Sequence, residues 1–399
     1  MRGRRRKPPA TVAEGQRLVY PTIRRALLAW FRANARALPW RGTGDPYAVW
    51  VSEIMLQQTQ IATVTPYYQR FLEAFPTVLR LARAPLERVL ELWSGLGYYR
   101  RARHLHQAAQ AIAQEFAGKF PEDYAGLRAL PGIGDYTAKA VLSINFNQPY
   151  AVLDGNVARV VARLLAQRGN LHQPRFRRAV ETELDKLLSR REPGNFNQAL
   201  MELGQTICLP RGPRCPACPL AKWCGGYRSG KPEAFPLPRP RRAAESHHLA
   251  VALFRCGTRV AMMRGLGDGL LDDLWNFPAT FGKSPAEALE ALREKLAQLT
   301  GDQRGVGARH GVPVQRNGAP LLTLGEPCAE FRHGITYRAI QGRVYLVEAS
   351  RAIRHASLRW FELKELPRAA ISQLARKIME KIAWVEGSRE GYPFPSPGR

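Results

Sequence analysis

Residues Leu127–Arg159 read LRALPGIGDYTAKAVLSINFNQPYAVLDGNVAR. A short helix-like run leads into Pro131-Gly132-Ile133-Gly134, and a second helical pattern follows. Glycine reaches backbone angles closed to other residues and leaves no side chain in a ligand's way. Such a turn can present N–H groups at the start of the second helix, where an anion is welcome. For a chain this basic the obvious anion is a DNA phosphate, with Arg128 and Lys139 adding charge nearby. The same four residues also suit a plain helix hairpin. Further on, the apolar residues Ala151-Val152-Leu153 lead to Asp154, which precedes the helical pattern VARVVARLL. An Asp at a helix start is often only a cap. About one helix away from a phosphate-gripping turn, it is also where a group acting on a nucleotide sugar belongs.

The rest of the chain fits a nucleic-acid partner. Lys plus Arg is 60 against 33 for Asp plus Glu, a formal net charge of +27. That excess implies a polyanionic partner and salt-sensitive binding. A ribosomal or structural DNA-binding protein would share it, so charge alone does not make an enzyme. The 399 residues suggest two or three domains. No run of roughly 18 apolar residues occurs, so no membrane span is expected. The opening MRGRRRKPPA lacks the apolar segment of a secretory signal and reads as part of a basic disordered tail, residues 1–17. The expected setting is cytoplasmic, a monomer associated with a bacterial nucleoid.

Residues 18–38 have a helical pattern, and Pro39-Trp40-Arg41-Gly42 and Asp45-Pro46-Tyr47 read as loop and turn. Residues 47–64, YAVWVSEIMLQQTQIATV, are apolar or amide except for Glu53, which has no Lys or Arg within four residues. A carboxyl in such company has its pKa raised by desolvation, which keeps a proton for acid catalysis near neutral pH. Solvent exposure on an amphipathic helix is the competing reading. Gln57, Gln58 and Gln60 are unusual in an apolar helix and suit hydrogen bonding to bases, or a helix surface. In Gly95-Leu96-Gly97-Tyr98-Tyr99-Arg100-Arg101, tyrosines precede arginines, a pairing that can wedge between bases and hold phosphates, or merely pack a helix start.

The blocks LPGIGDYTAKAV, VLDGNVARV, WVSEIMLQQTQ and GLGYYRRARHLHQAA, in this order of interest, resemble the helix-hairpin-helix superfamily of DNA glycosylases, the endonuclease III type. Lyase members carry Lys where this chain has Tyr136. The resemblance is therefore to the adenine glycosylase, or MutY-type, branch. It implies a monofunctional enzyme of base excision repair acting on adenine opposite 8-oxoguanine or guanine in double-stranded DNA. It assigns proton donation to adenine N7 to Glu53, charge stabilisation at the sugar to Asp154, and positioning or polarising to Tyr136. Asn156, close to Asp154 in sequence, is counted with these catalytic candidates. Gln58, Tyr98, Pro131, Gly132, Gly134 and Lys139 are the implied DNA contacts. Two readings compete: an endonuclease III-like glycosylase/lyase for oxidised pyrimidines, opposed by Tyr136, and a non-catalytic DNA-binding module.

Cys208, Cys215, Cys218 and Cys224 are spaced C-x6-C-x2-C-x5-C, a set suited to a soft metal centre. Zinc sites of four cysteines usually show two close pairs, and here only Cys215 and Cys218 form one. The resemblance implies a [4Fe-4S] cluster, structural or DNA-contacting, in the loop 208–224, closing a catalytic domain of residues 18–224. Residues 225–245, rich in Pro, Gly and Arg, read as a semi-rigid linker.

Beyond it, LAVALFRCG, RVAMMR and GRVYLVEAS read as strands, and AEALEALREKLAQLT and about 368–385 as helices. Residues 246–390 are thus expected to form an α+β domain, with a tail at 391–399. GLLDDLWNFP extends the resemblance into the Nudix-like C-terminal domain of the adenine glycosylases. Residues 293–298, Arg-Glu-Lys-Leu-Ala-Gln, lack the paired glutamates that a Nudix hydrolase uses for magnesium, so recognition rather than hydrolysis is expected. Phe331, Arg332 and His333 occupy the place of the family's Phe-Ser-His reader of 8-oxoguanine, Arg332 standing for the Ser. The expected fold is an all-α, two-lobed helix-hairpin-helix domain with a four-cysteine iron–sulfur loop, followed by the Nudix-like domain.

Overall fold

The computed structural model describes residues 20–238, 243–267, 271, 274–300, 323–335, 337–348 and 352–385. The two terminal tails, residues 239–242 of the linker and most of the GLLDD stretch lie outside the described residues. By contact the chain divides into two compact units, residues 1–82 with 107–240, and residues 83–106 with 241–399.

The helices, in chain order, are α1 (Tyr20–Asn34), α2 (Pro46–Leu56), α3 (Ile61–Ala74), α4 (Val78–Arg83), α5 (Leu86–Trp93), α6 (Arg100–Glu115) and α7 (Tyr124–Ala129). They continue as α8 (Asp135–Asn145), α9 (Gly155–Leu164), α10 (Pro174–Leu187), α11 (Pro193–Thr206), α12 (Gly225–Arg228), α13 (Pro285–Thr300) and α14 (Gln373–Val385).

In the first unit, α1 joins α9, α10 and α11 around one core, in which Ile23, Leu27, Val161, Leu184 and Leu200 are all buried. The helical spacing of apolar residues in residues 18–38 therefore faces this core. Elsewhere in the same unit α2 packs on α3 and α8, and α7 on α8. The two groups meet where α8 touches α11. That contact is close because Gly194 has no side chain: a Cβ there would lie 2.5 Å from the Ser143 carbonyl oxygen. Buried Asn197 completes the seam. Its amide donates to Ser143 Oγ at 3.0 Å and to the Tyr150 carbonyl at 2.8 Å, and its carbonyl accepts from Val152 N at 3.2 Å. The chain leading to Asp154 is thus fixed by a side chain of α11. The loop before α2 is tied to α11 as well, Arg36 and Arg41 both pairing with buried Glu202, at 2.5 and 2.9 Å.

Of the segment read as an extended linker, residues 225–238 instead pack on the first unit. Phe235 is buried, its carbonyl accepts from Arg163 Nε at 3.0 Å, and Leu237 N donates to the Gly169 carbonyl at 2.8 Å.

The second unit carries a sheet of β1 (Glu245–Cys256), β2 (Arg259–Arg264), β3 (Trp275–Asn276), β4 (Ala279–Gly282), β5 (Thr323–Ile335), β6 (Arg338–Glu348) and β7 (Arg359–Glu362). The order is β3-β2-β1-β6-β5, with β4 on β1 and β7 on β2. The central pair, β1 with β6, is parallel, whereas β5 and β6 form an antiparallel hairpin. Each face has its own core. Leu249, Val251 and Leu253 meet α14 on one side, and Ala250, Ala252 and Phe254 meet α13 on the other, as the two-residue period of β1 requires. The expected α+β character is present.

The cysteine loop corrects the expectation. Among the described residues, no group of three or more His, Cys, Asp or Glu side chains is placed to hold a metal ion. The iron–sulfur part of the expected fold, the metal-ligand role of Cys208, Cys215, Cys218 and Cys224, and the [4Fe-4S] cofactor are all overturned by that geometry. The thiols are free, and two of them answer to Arg163. Arg163 Nη1 donates to Cys208 Sγ at 3.4 Å, and Cys224 Sγ donates to the Arg163 carbonyl at 3.4 Å. Burial pushes the Cys218 thiol up to about 12, with the neighbouring thiols adding to the rise, and it raises Cys215 and Cys224 too. The loop is held instead by the same guanidinium, which donates to the carbonyls of Leu209 at 2.6 Å and Pro210 at 3.0 Å.

Candidate active site

Glu53 lies on α2, whose residues from Tyr47 through Met55 are buried. It is 7 % exposed, so the solvent-facing alternative is excluded. Asp45 starts the helix as its N-cap, accepting from Tyr47 N at 2.9 Å. Burial pushes the Glu53 carboxyl from 4.5 to about 7. A hydrogen bond with Tyr136 opposes the rise, and the negative charge of Asp154 adds to it. The three residues that the sequence placed in the reaction are therefore electrostatic neighbours, although Glu53 and Asp154 are a hundred positions apart.

Tyr136 stands one position into α8. Burial, followed by the charges of Glu53 and Asp154, holds its phenol well above the usual range, so it stays protonated. Its hydroxyl also lies 3.2 Å from Met201 Sδ on α11. A neutral hydroxyl at that place is a donor, not a nucleophile.

Asp154 is the N-cap of α9, with Oδ1 accepting from Val157 N at 2.7 Å. Oδ2 accepts from Asn156 Nδ2 at 2.8 Å. Two donors at a helix N-terminus thus fix the position of both carboxylate oxygens. Capping and catalysis, opposed as readings of the sequence, are thus compatible here: the cap fixes the carboxylate beside Glu53 and Tyr136. Asn156 is aligned in turn by Arg159, whose Nη2 donates to Asn156 Oδ1 at 3.0 Å and to the Gly204 carbonyl at 2.7 Å. Arg159 and Gly204 were given no role by the sequence, and Asn197 and Met201 belonged only to a helix block, Gly194–Met201, that resembles the family. A glycine inside the α11 pattern was the available signal, since glycine costs helix stability and is kept where another backbone comes close.

The hairpin is α7, Pro131–Gly134 and α8. Gly132 has φ +75°, and Gly134 is the N-cap of α8. Ile133 is buried and anchors the turn, while nothing lies within 4 Å of where a Gly134 Cβ would stand. That open approach to the first N–H groups of α8 suits a phosphate. Arg128 donates to the Ile133 carbonyl, and Lys139 pairs with Asp135 at 3.1 Å. Both cations thus brace the turn from close by. Gln58, beyond the end of α2, is exposed in the left-handed region, at φ +58°.

The second unit holds Tyr98 and the Phe331–His333 strand. Tyr98 is 48 % exposed and has φ +51°. The Arg101 guanidinium lies 5.3 Å from its ring centre and 5.4 Å from that of Trp93. Phe331 is in the core, its ring over Gly342 of the neighbouring strand, where a Cβ would be only 2.0 Å from it. His333 is half-buried, and burial and then Lys377 lower its pKa. Arg332 is exposed, and its carbonyl accepts from Lys377 Nζ at 2.6 Å. A cleft of about 470 Å³ includes Phe331, Arg332, Arg343, Lys377 and Lys381 in its wall.

Residues 51–189, which contain Glu53, the hairpin and Asp154, match the family described as HhH-GPD superfamily base excision DNA repair protein. The adenine DNA glycosylase of Mus musculus is 32 % identical to the chain, the match covering 92 % of this chain and 79 % of that protein. The chain belongs to the adenine DNA glycosylase family. Among other adenine DNA glycosylases, that of Homo sapiens is 32 % identical over 89 % of this chain and 73 % of its own length. A solved structure of a thermostable thymine-DNA glycosylase matches with 26 % identity and a TM-score of 0.49, covering 53 % of this chain and 97 % of that one.

Proposed function

We propose that this adenine DNA glycosylase family member removes adenine from double-stranded DNA in base excision repair, acting where adenine stands opposite 8-oxoguanine or guanine. The observation that carries the reading is the buried Glu53, with a pKa of about 7, next to protonated Tyr136 and helix-capping Asp154.

Cleavage of an N-glycosidic bond needs a better leaving group and a stabilised, positively charged sugar. Glu53 is protonated over much of the neutral range and delivers its proton to N7 of the flipped-out adenine. Asp154, held in place by Val157 N and Asn156, faces the charge that develops at the sugar. The two carboxyls have different tasks and different surroundings, a buried helix for Glu53 and a helix N-cap for Asp154. Tyr136 has no amine and forms no Schiff base, so water is the expected acceptor of the sugar. It hydrogen-bonds the Glu53 carboxyl and keeps its orientation.

The base must leave the duplex before it can reach Glu53. Open N–H groups at Gly134 hold the backbone, and exposed Gln58 is assigned to hydrogen bonding with the bases. Exposed Tyr98 is assigned the role of a wedge in the duplex. A mispair is unstacked at lower cost than a Watson–Crick pair, which favours mispaired adenine. Opposite-base preference is assigned to Arg332 and His333, with Phe331 supporting their strand from the core. The protein is expected to act as a monomer on the bacterial nucleoid.

The test is single-turnover cleavage of a duplex with one adenine opposite 8-oxoguanine, developed with hot alkali, for wild type and Glu53→Gln. Wild type should give one defined break and Glu53→Gln almost none, with duplex binding retained. Equal cleavage by the two proteins would remove Glu53 from the reaction.

A further inference from the structure

The turn that presents Tyr98 is built from residues whose conformations need outside support. Gly95, Gly97 and Tyr98 have φ of +102°, +78° and +51° in close succession. For tyrosine, whose Cβ crowds the following carbonyl oxygen there, the left-handed region is unfavourable. On one side the turn is held by its own neighbours. Trp93 Nε1 donates to the Gly97 carbonyl at 3.1 Å, Arg101 Nη2 donates to it at 3.0 Å, and Tyr99 Oη accepts from Gly95 N at 2.9 Å.

On the other side, within the same unit, it is held by residues nearly 280 positions later. Gln373 Nε2 donates to the Gly95 carbonyl at 2.9 Å. Arg376 Nη2 donates to Ser94 Oγ at 2.8 Å, and Ser94 Oγ lies 3.4 Å from the Ile371 carbonyl. All three partners come from the first turns of α14 and the residues just before it. That end of α14 is itself fixed. Ser372 is fully buried, its Oγ accepts from Ala375 N at 2.9 Å, and its N–H donates to the Trp275 carbonyl at 3.2 Å. A second tie lies on α5, the helix that runs into the turn. Glu87 pairs with Arg359 at 3.3 Å and with Arg264 at 3.6 Å, arginines of β7 and β2.

We propose that Gln373 and Arg376 are positioning residues for the Tyr98 turn, so that the C-terminal part of the chain sets the geometry of base extrusion as well as opposite-base preference. This rests on the reading that Tyr98 enters the duplex when adenine leaves it. Neither residue touches the reacting atoms. Each fixes a backbone carbonyl or hydroxyl of the turn, and the turn fixes the ring. Losing either should lower the fraction of bound duplex in the extruded state without altering which opposite base is preferred.

The experiment uses the full chain and duplexes with 2-aminopurine beside the target adenine, whose fluorescence rises when its stacking is broken. Tyr98→Ser, Gln373→Ala, Arg376→Lys and the double variant Gln373→Ala/Arg376→Ala are compared with wild type at saturating protein. At about 1 kcal/mol per lost hydrogen bond, fivefold each, the double variant should lose roughly thirtyfold of the extruded-to-stacked ratio and of the single-turnover rate. The loss should be equal on A·8-oxoG and A·G duplexes. Arg376→Lys, which can still donate to Ser94, should recover part of it. Gln373 is exposed, so Gln373→Ala decides the matter should the double variant not fold: its signal must fall too. Wild-type fluorescence and rate in Gln373→Ala and the double variant, with Tyr98→Ser impaired, would overturn the positioning role and leave the wedge reading intact. Wild-type behaviour in Tyr98→Ser would overturn the wedge reading and the proposal with it.

Discussion

Gly204 of α11 and Asn156 of α9 are in direct backbone-level contact: a Cβ on Gly204 would lie 2.7 Å from the Asn156 Cβ. Asn156 cannot yield without moving the amide that binds Asp154 Oδ2. Gly204→Ala should therefore act at a distance from the reaction. The expected cost in stability is about 1–3 kcal/mol from overpacking. The single-turnover rate should fall further than thermal unfolding accounts for, because Asp154 loses its alignment. Measuring both on one preparation separates the effects, and an unchanged rate would detach Asn156 from catalysis.

The state of Glu53 predicts a pH dependence with a definite sign. Its carboxyl sits at about 7 in the fold, against 4.5 when unperturbed. The proton donor is thus lost as pH rises, and the single-turnover rate should decline about tenfold per unit well above pH 7. Stability follows the same group. Below pH 4.5 Glu53 is protonated in both folded and unfolded chains. Between 4.5 and 7 the unfolded chain ionises and the fold does not, so stability is lost across that window as pH rises. The total is about 3 kcal/mol. Glu53→Gln should therefore melt higher than wild type at pH 8 and no higher at pH 4. Equal shifts at both values would show that burial of the charge is not the cause.

Asp154 can be tested without disturbing its cap. Asn and Asp are nearly equivalent at the N-cap position. Asp154→Asn should keep the melting temperature within a few degrees and lose most of the base-release rate. Asp154→Ala should lose the rate and, in addition, about 1 kcal/mol of stability. A slow but correctly folded Asn variant identifies the charge as the catalytic feature, whereas a normal rate reduces Asp154 to a cap.

For Arg332 the expected result of Arg332→Ala is a smaller preference for A·8-oxoG over A·G, with little change on A·G itself. Uniform weakening on every duplex would instead assign it to a phosphate. In that case the slope of log affinity against log salt should also shrink by about 1.

The sequence made the candidate pair Glu53 and Asp154 legible for a simple reason. A carboxylate among Val, Trp, Ile, Met and Leu favours the inside, though the structure was needed to exclude the solvent-facing alternative, and Asp before a helical pattern suits a cap. The glycine turn was equally plain, since Gly132 needs its positive φ. What could not be read is what depends on partners distant in sequence. Nothing in Ser94 or Gly95 indicates that α14 holds them. The cysteine spacing carried a metal expectation because spacing alone ignores where side chains point. In the fold, Arg163 takes Cys208 and Cys224 into its own hydrogen bonds, and burial raises the pKa of the Cys224 thiol. Residues 225–238 looked like a linker by composition, but one guanidinium and buried Phe235 were enough to pack them.

Arg163 also determines how that region comes apart. Its single fork reaches Leu209, Pro210 and Phe235, so the cysteine loop and the chain after α12 share one latch on α9. Segments that share a latch open together. Their amide protons should exchange with solvent as one cooperative block, at a rate set by release of α9 rather than by fraying of each loop. In Arg163→Lys, whose ammonium cannot span those acceptors at once, the block should separate into two segments that exchange independently and faster.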